Sequence, residues 1–432
     1  MASNGSRLPS DPLGLQIAFR ALRYRNFRLF FGGQIISLTG TWMQQMAMGW
    51  MVYRLTHSPL MLGIVGFVSQ IPSFVLSPFA GVLADHFNRH RIIIITQVLS
   101  MLQASILAFY VLTGTISIAK IIVLGAFLGL INAVDIPARH SFLFEMIDNK
   151  EDLGNAIALN SMMFNAARLI GPSVAGVLIG LWGEGFCFLL NGLSFLAVIG
   201  ALLLMRLRPR PHNHLNGQPL QKLQEGFRYA FGFAPIRSIL FLVATVSLMA
   251  MSVTVLMPVF ARDILGGGAH TLGFLVGATG LGALSGAIFI ASREKPIGLS
   301  RLMPVSSGLF FGLGMVVFSF SRNVGLSMLV LFFTGLGLMI HMVLCNTVLQ
   351  TIVDDDKRGR VMSLYTMAFM GMATFGSLLG GSLASKIGSA NTVRLGALVC
   401  MLISGIFFLQ LPRLKVLVKP LYQKSELPLE HA

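Results

Sequence analysis

Residues Gly81 to Arg91 read GVLADHFNRHR, with Asp85, His86, Arg89, His90 and Arg91 inside eleven positions. Only 11% of the chain is charged, yet this turn is dense with charge. Its flanks are almost wholly apolar: IPSFVLSPFA (71–80) before it and IIIITQVLS (92–100) after it. Each flank belongs to a run of the roughly 20 apolar residues that a helix needs to cross a bilayer core of about 30 Å. The charged stretch therefore reads as a tight turn between two spanning helices.

The same reading extends along the chain. Hydrophobic residues make up 55% of 432, with 33 Phe, 24 Met and 46 Gly. A soluble protein of this length would need far more charge to cover its surface. Twelve spans are predicted: 27–53, 60–84, 91–113, 117–140, 153–181 and 185–205, then 236–261, 271–292, 302–321, 325–350, 361–385 and 393–411. Strands are excluded by length, since a spanning strand needs only about ten alternating residues. The expected division is a segment 1–26, a six-helix bundle 27–205, a basic linker 206–235, a second bundle 236–411 and a tail 412–432. The fold class is thus all-α, a membrane protein of twelve helices in two bundles. The N-terminus lacks the compact apolar stretch and small-residue cleavage site of a signal peptide.

Of the 32 Lys and Arg, 25 fall on the side holding both termini and the 206–235 linker, six fall on the other, and Arg168 lies within a helix. Positive charge concentrates on the cytoplasmic side of membrane proteins, so both termini, the linker and the Gly81–Arg91 turn are expected in the cytoplasm. The net charge of +16 is spread over short segments between apolar runs, which suits anionic headgroups rather than nucleic acid. Cys187, Cys345 and Cys400 lie in apolar stretches and imply no disulfide framework.

The two bundles read as copies. Shifted by 205, residues 142–179 lie over 347–384 without a gap, with identities Ile147/Ile352, Gly154/Gly359, Leu159/Leu364, Met162/Met367, Phe164/Phe369, Gly171/Gly376 and Gly176/Gly381. Repeated halves around a central cavity are the plan of a rocking transporter.

GVLADHFNRHR resembles the loop 2–3 signature of the major facilitator superfamily, roughly G-x-L-A-D-R-x-G-R-[KR], at Gly81, Leu83, Ala84, Asp85 and Arg89. It departs at His86 and at Asn88, where glycine is usual; Asn tolerates the left-handed conformation almost as well. NAVDIPARHSF (132–142) and NAIALNSMMFNAARLIGPSVAGVLIG (155–180) are similar to a narrower group, the exporters akin to the enterobactin exporter and macrolide efflux pumps. The resemblance implies drug:proton or siderophore antiport across the bacterial inner membrane. It also implies gating roles for Gly81, Asp85, Arg89 and Arg91 at the turn, for Arg139 at the end of helix 4, and for Gly171, Pro172 and Gly176 in helix 5. Plain topology also accounts for the charges: Arg89 and Arg91 as anchors, Asp85 as a helix end. For the glycines the alternative is ordinary small-residue packing.

Ionisable residues within the membrane are costly and face a cavity or a partner. Asp135 and Arg168 stand out. They lie about 15 positions before and about 18 after the centre of the loop joining their helices, so at 1.5 Å per residue their depths differ by about 5 Å. They are expected to meet in the empty carrier and to take part in proton coupling; a purely structural ion pair is the alternative. Gln34, Thr41, Gln45, Asn132, Asn165, His341, Asn346 and Tyr365 sketch a polar lining, although any one of them can equally serve an interhelical hydrogen bond. With many Met and Phe they describe an amphipathic pocket that repacks around varied shapes. Its expected partners are an amphipathic small molecule, protons and membrane lipids, with a monomer as the working unit. No Walker loop (GLGALSGA, 280–287, lacks the Lys-Ser/Thr ending), metal-ligand spacing or nucleophile with a base is present. No enzyme, metal or cofactor is expected. Two other readings remain open at this point: a lysophospholipid flippase of the same fold, and a membrane sensor that moves nothing.

Overall fold

The computed structural model describes residues 19–147, 149–206, 219–292 and 301–425, with the side chains of 77–86, 150, 219–224, 355–356 and 419–425 also outside the described set. Gly81 and Asp85 fall in that set, so their expected gating roles lie outside the described residues. The first half contains α1 (Arg25–Thr56), α2 (Pro59–His86), α3 (Arg89–Leu112), α4 (Ile118–Phe142), α5 (Leu153–Trp182) and α6 (Glu184–Leu203). A short helix α7 (Pro219–Gly232) follows. The second half contains α8 (Ala234–Ile264), α9 (Ala269–Ala291), α10 (Leu302–Phe320), α11 (Val324–Ile352), α12 (Lys357–Ile387) and α13 (Ser389–Ser425).

Among the described residues, eleven helices are long and apolar enough to cross a membrane. The twelfth, α1, is 32 residues long but carries Gln34, Ser37, Thr39, Thr41, Gln44 and Gln45, which dilute its hydropathy. It packs along α5 and α6, which buries Gln34, Ser37 and Gln44 against protein, while Gln45 stays exposed. Leu181, Leu203, Val123 and Ile288 are each more than 60% exposed; such surface is tolerable only against hydrocarbon.

The packing repeats between halves. In the first, α1 lies on α5 and α6, α2 on α4, and α3 on α4 and α6. In the second, α8 lies on α12 and α13, α9 on α11, and α10 on α11 and α13. One pair of residues marks the duplication. Gly183 between α5 and α6 has φ 83°, and Gly388, 205 positions later between α12 and α13, has φ 84°. Both one-residue connections need a left-handed backbone, which glycine adopts without a steric penalty.

Three local features differ from the sequence expectation. Asn88 is not left-handed: with φ −64° and ψ 109° it is the N-cap of α3, and its side chain accepts from the Arg91 amide at 3.1 Å. Asn is among the best N-caps, so the turn holds by capping where a glycine was expected. The linker contains α7, whose Phe227 and Phe231 rings stack at 5.7 Å. Glu225 pairs with Arg360 at 2.6 Å and Tyr229 donates to Asp354 at 3.1 Å, tying α7 to the start of α12. Finally, α13 runs on to Ser425, past the predicted span end at 411.

Candidate functional site

One helix shows where the cavity opens. At 100° per residue, Ile170, Val174, Val177 and Leu181 form a single stripe on α5, exposed and apolar: the lipid face. On the opposite side, Gly154, Ile157, Ser161 and Phe164 are exposed, and Asn165 and Arg168 are half-buried. Beyond Arg168 that same side turns fully buried at Gly171, Pro172, Ala175 and Gly176, with Ile179 following. The inner face of α5 is therefore open on the side where the N-terminal segment lies and sealed on the far side.

Glycines make the seal. A β-carbon on Gly176 would stand 3.0 Å from Gly273 Cα and 3.0 Å from the Ala269 carbonyl of α9. Symmetrically, one on Gly381 of α12 would stand 2.8 Å from Gly63 Cα and 2.6 Å from the Pro59 carbonyl of α2. Within the first half, a β-carbon on Gly171 would stand 2.7 Å from the Thr39 carbonyl of α1, and Pro172 is buried beside it. Tyr53, near the end of α1, donates to Asp263 at the end of α8. The approaches of Gly176 to α9, of Gly381 to α2 and of Tyr53 to Asp263 join the two halves on the far side. Phe74 and Phe67 meet Phe375 at 5.9 and 5.8 Å midway.

The expected pairing of Asp135 with Arg168 is replaced by another. Asp135 is 2% exposed and points between α3 and α4. It accepts from Thr96 Oγ1 at 2.7 Å and Gln97 Nε2 at 2.9 Å, and it pairs with Arg139 one turn along α4. Matching depth does not make two side chains face each other: rotation about α4 turns Asp135 toward α3. Arg168 instead lies over the Trp42 ring of α1 at 5.5 Å, and Trp42 meets Phe164 edge-on at 5.5 Å.

The lining residues divide. Gln45 is exposed, and Asn132, Asn165 and Asn346 are half-buried; Asn165 donates to the Ser161 carbonyl and Asn346 accepts from Gln350 at 2.6 Å. Thr41 is half-buried and donates to the Ser37 carbonyl of its own helix. Three others are turned away from open space. Gln34 is 1% exposed, His341 is fully buried with Nδ1 3.2 Å from the Met303 carbonyl of α10, and Tyr365 is pinned to the Met342 carbonyl at 3.2 Å. The helical period alone leaves the face of each residue undecided when most helices are apolar all round.

At the turn, Arg89 donates to Glu145 at 2.8 Å within the first half, and Arg91 is exposed. Nearby, the buried Asp152 accepts from Tyr24 Oη at 2.6 Å and pairs with Arg20 and Arg23. The Tyr24 hydrogen bond foremost, then Arg20 and Arg23, holds the Asp152 carboxyl below the usual Asp range. Sequence reading missed this clasp, as it missed Asn191, Gln44 and Gln103, which link α6, α1 and α3 at 2.8 and 3.0 Å. The Gln and Asn inside apolar runs were the available signal, but their partners lie 59 and 147 positions away.

Two pseudo-symmetric six-helix halves about a cavity open on one side are the architecture of a major facilitator transporter. A family model described as a transmembrane secretion effector matches residues 16–427, and the chain belongs to that family. It is 27% identical to the staphyloferrin A transporter of Staphylococcus aureus, covering 90% of this chain and 97% of that one. It is 26% identical to the enterobactin exporter EntS of Escherichia coli (90% and 93% covered) and to the multidrug efflux pump Tap of Mycolicibacterium fortuitum (86% and 92%). Among solved structures, an inward-facing, occupied bacterial homolog of the human lysosomal transporter Spinster superposes with TM-score 0.71 at 14% identity, covering 90% of this chain and 97% of that one. An inward-facing bacterial homologue of ferroportin gives 0.68 at 15%, with 91% and 98% covered. At such identities these two speak for the fold alone. The chain is a multi-pass membrane transporter of the major facilitator superfamily.

Proposed function

We propose that this transporter exports amphipathic organic molecules, siderophore- or drug-like, across the bacterial inner membrane by proton-coupled alternating access, and that it catalyses no reaction. Both termini and the linker lie in the cytoplasm on this reading, and the conformation described here is inward-facing. The inner face of α5, open as far as Arg168 and closed by glycine packing beyond it, carries the proposal: cargo entering from the cytoplasm reaches mid-membrane and stops at the seal. Asn132, Asn165, Asn346 and Gln45 offer hydrogen bonds along the way. Relatives named for a siderophore, a siderophore's export and multidrug efflux support a cargo of that kind.

Asp135 is the proposed proton carrier. As a carboxylate it holds Arg139; protonated, it loses the charge that holds it. Since a ligand shifts a conformational equilibrium only through differential affinity, the proton acts by freeing Arg139 in one state and not in the other. Arg89, Glu145 and Arg139 then belong to the gate on the cytoplasmic side, and Gly171, Pro172 and Gly176 to the seal opposite.

Flux in proteoliposomes, with and without an imposed pH gradient, against siderophores, macrolides and lysolipids tests the reading. Siderophore or macrolide efflux that rises with the gradient, and that loses this dependence in Asp135→Asn, is expected. Flux indifferent to the gradient refutes proton coupling; movement of lysolipids alone refutes the cargo. Reporter fusions at Asn216 and Ala432 should read cytoplasmic, and one at Gly267 periplasmic.

A further inference from the structure

Arg168 is a cation midway along a membrane-spanning helix, and its described contact is a ring rather than a carboxylate. The guanidinium lies 5.5 Å from the Trp42 centroid, and Phe164 closes the edge of that indole. Among the described residues no acid pairs with it: Asp135, the acid at like depth, is engaged by Thr96, Gln97 and Arg139. Arginine does not shed its proton in proteins, so a standing charge at mid-membrane has to be answered.

The Trp42 face answers part of it. Water answers the rest, because Arg168 ends the open inner face of α5 and is half-buried rather than enclosed. That arrangement holds only while the cavity is open. When the terminal side closes, water leaves and the desolvated cation is left without a counter-charge, which is the costly case for a buried ion. An empty carrier is thus discouraged from closing, unless an anion travels with the cargo.

We propose that Arg168, backed by Trp42 and Phe164, is the anchor for a carboxylate on an aromatic or otherwise apolar substrate, and that this carboxylate replaces water when the cavity closes. The guanidinium fork matches a carboxylate with two parallel hydrogen bonds. Ser161 and Asn165 stand on the same face of α5, two turns and one turn before it, and supply a hydroxyl and an amide on the path to the anion. The site has no twin. The positions 205 later are Thr366, Met370 and Ala373, so the equivalent places in the second half hold no second cation. A single anchor opposite a Met- and Phe-rich surface, with Met370 47% and Phe369 39% exposed, selects anionic amphiphiles and repels cationic ones.

This inference rests on the transport reading for its purpose, but binding tests it separately. Full-length protein in nanodiscs is titrated calorimetrically with naphthoate and with naphthamide, which share shape and differ in charge. A charge-assisted hydrogen bond predicts naphthoate binding about tenfold or more tighter than naphthamide. Arg168→Gln should abolish that preference by weakening naphthoate binding far more than naphthamide binding, and Arg168→Lys should keep part of it. Equal dissociation constants in the unmodified protein, no binding of naphthoate, or a preference that survives Arg168→Gln overturns the assignment. The first two outcomes need no variant, so a folding defect in Arg168→Gln does not shield the idea. A protein that prefers naphthoate yet moves no cargo in proteoliposomes retains this site and loses the export reading. One that exports neutral and anionic cargo equally does the reverse.

Discussion

Asp135→Asn and Arg139→Gln, singly and together, test the pairing that the tertiary structure substitutes for the one expected from depth. The Asp135 side chain is 3% exposed and that of Arg139 22%, so the two losses are unequal. Removing one partner of a buried pair costs about 3–5 kcal/mol. Arg139→Gln leaves the carboxylate buried with only the neutral donors Thr96 and Gln97, and a loss of about 3 kcal/mol follows. Asp135→Asn keeps an acceptor for those donors and strands an arginine that water still reaches, so about 1–2 kcal/mol is expected. The double variant has no stranded charge and should fall short of the summed losses by about 2 kcal/mol, well outside the 0.3–0.5 kcal/mol within which independent sites add. Unfolding of the purified protein in mixed micelles reads all four species. If the two losses simply add, the pair described here does not hold the fold. The same cycle between Asp135 and Arg168 should be additive; coupling there instead would restore the depth argument and sink the present one.

Gly176→Val and Gly381→Val place side chains where only hydrogen fits, and should shift the population toward a state open on the far side. Spin labels at Thr113 and Arg322, on exposed far-side loops of opposite halves, should report longer distances by double electron–electron resonance, and an unchanged distribution removes the glycine seal. The three native cysteines are buried and should not compete for label. Tyr53→Phe deletes one cross-half hydrogen bond, worth about 0.5–1.5 kcal/mol, and should move the same distances in the same direction by less. The N-terminal clasp should depend on pH with a definite sign. Because the folded-state pKa of Asp152 is depressed, its stabilisation is complete above the unfolded Asp range near about 4 and is lost as pH falls through the folded value. Amide exchange at Ala21, which donates to Asn155 at 2.9 Å, should therefore be protected at neutral pH and speed up in strong acid more than its intrinsic rate predicts. Asp152→Asn should expose it already at neutral pH, and continued protection there would refute the clasp.

Much of the architecture was legible because the bilayer enforces it. Helix count, span limits and the two-fold repeat follow from run length, and Gly183 and Gly388 show the register of 205 carried through to backbone dihedrals. Even α1, whose hydropathy is diluted by polar residues, was read as a span from its long, mostly apolar run at 27–53. The close packing at Gly171 and Gly176 was legible for a related reason: two helices touching at their backbones have no room for a β-carbon. The candidate cavity was less so. Asp135, Arg168 and the polar residues in apolar runs were identified as unusual, since burying a polar group without a partner is costly, but the identity of each partner was not.

The reason lies in what a one-dimensional pattern encodes. Charge, length and repeat act on the chain one segment at a time, so the sequence alone determined a membrane-spanning, duplicated, twelve-helix transporter with its basic loops on one side. Whether Asp135 turns to Arg139 and α3 or to Arg168 depends on the rotation of α4 against its neighbours. That rotation is set jointly by the packing of α2, α3 and α4, and a difference of 100° between successive residues separates a wall of the cavity from the interior of the bundle. Only the assembled halves place Arg168 over Trp42, bury His341 against Met303, and close the far side through glycines that are 97 and 318 positions apart in the chain.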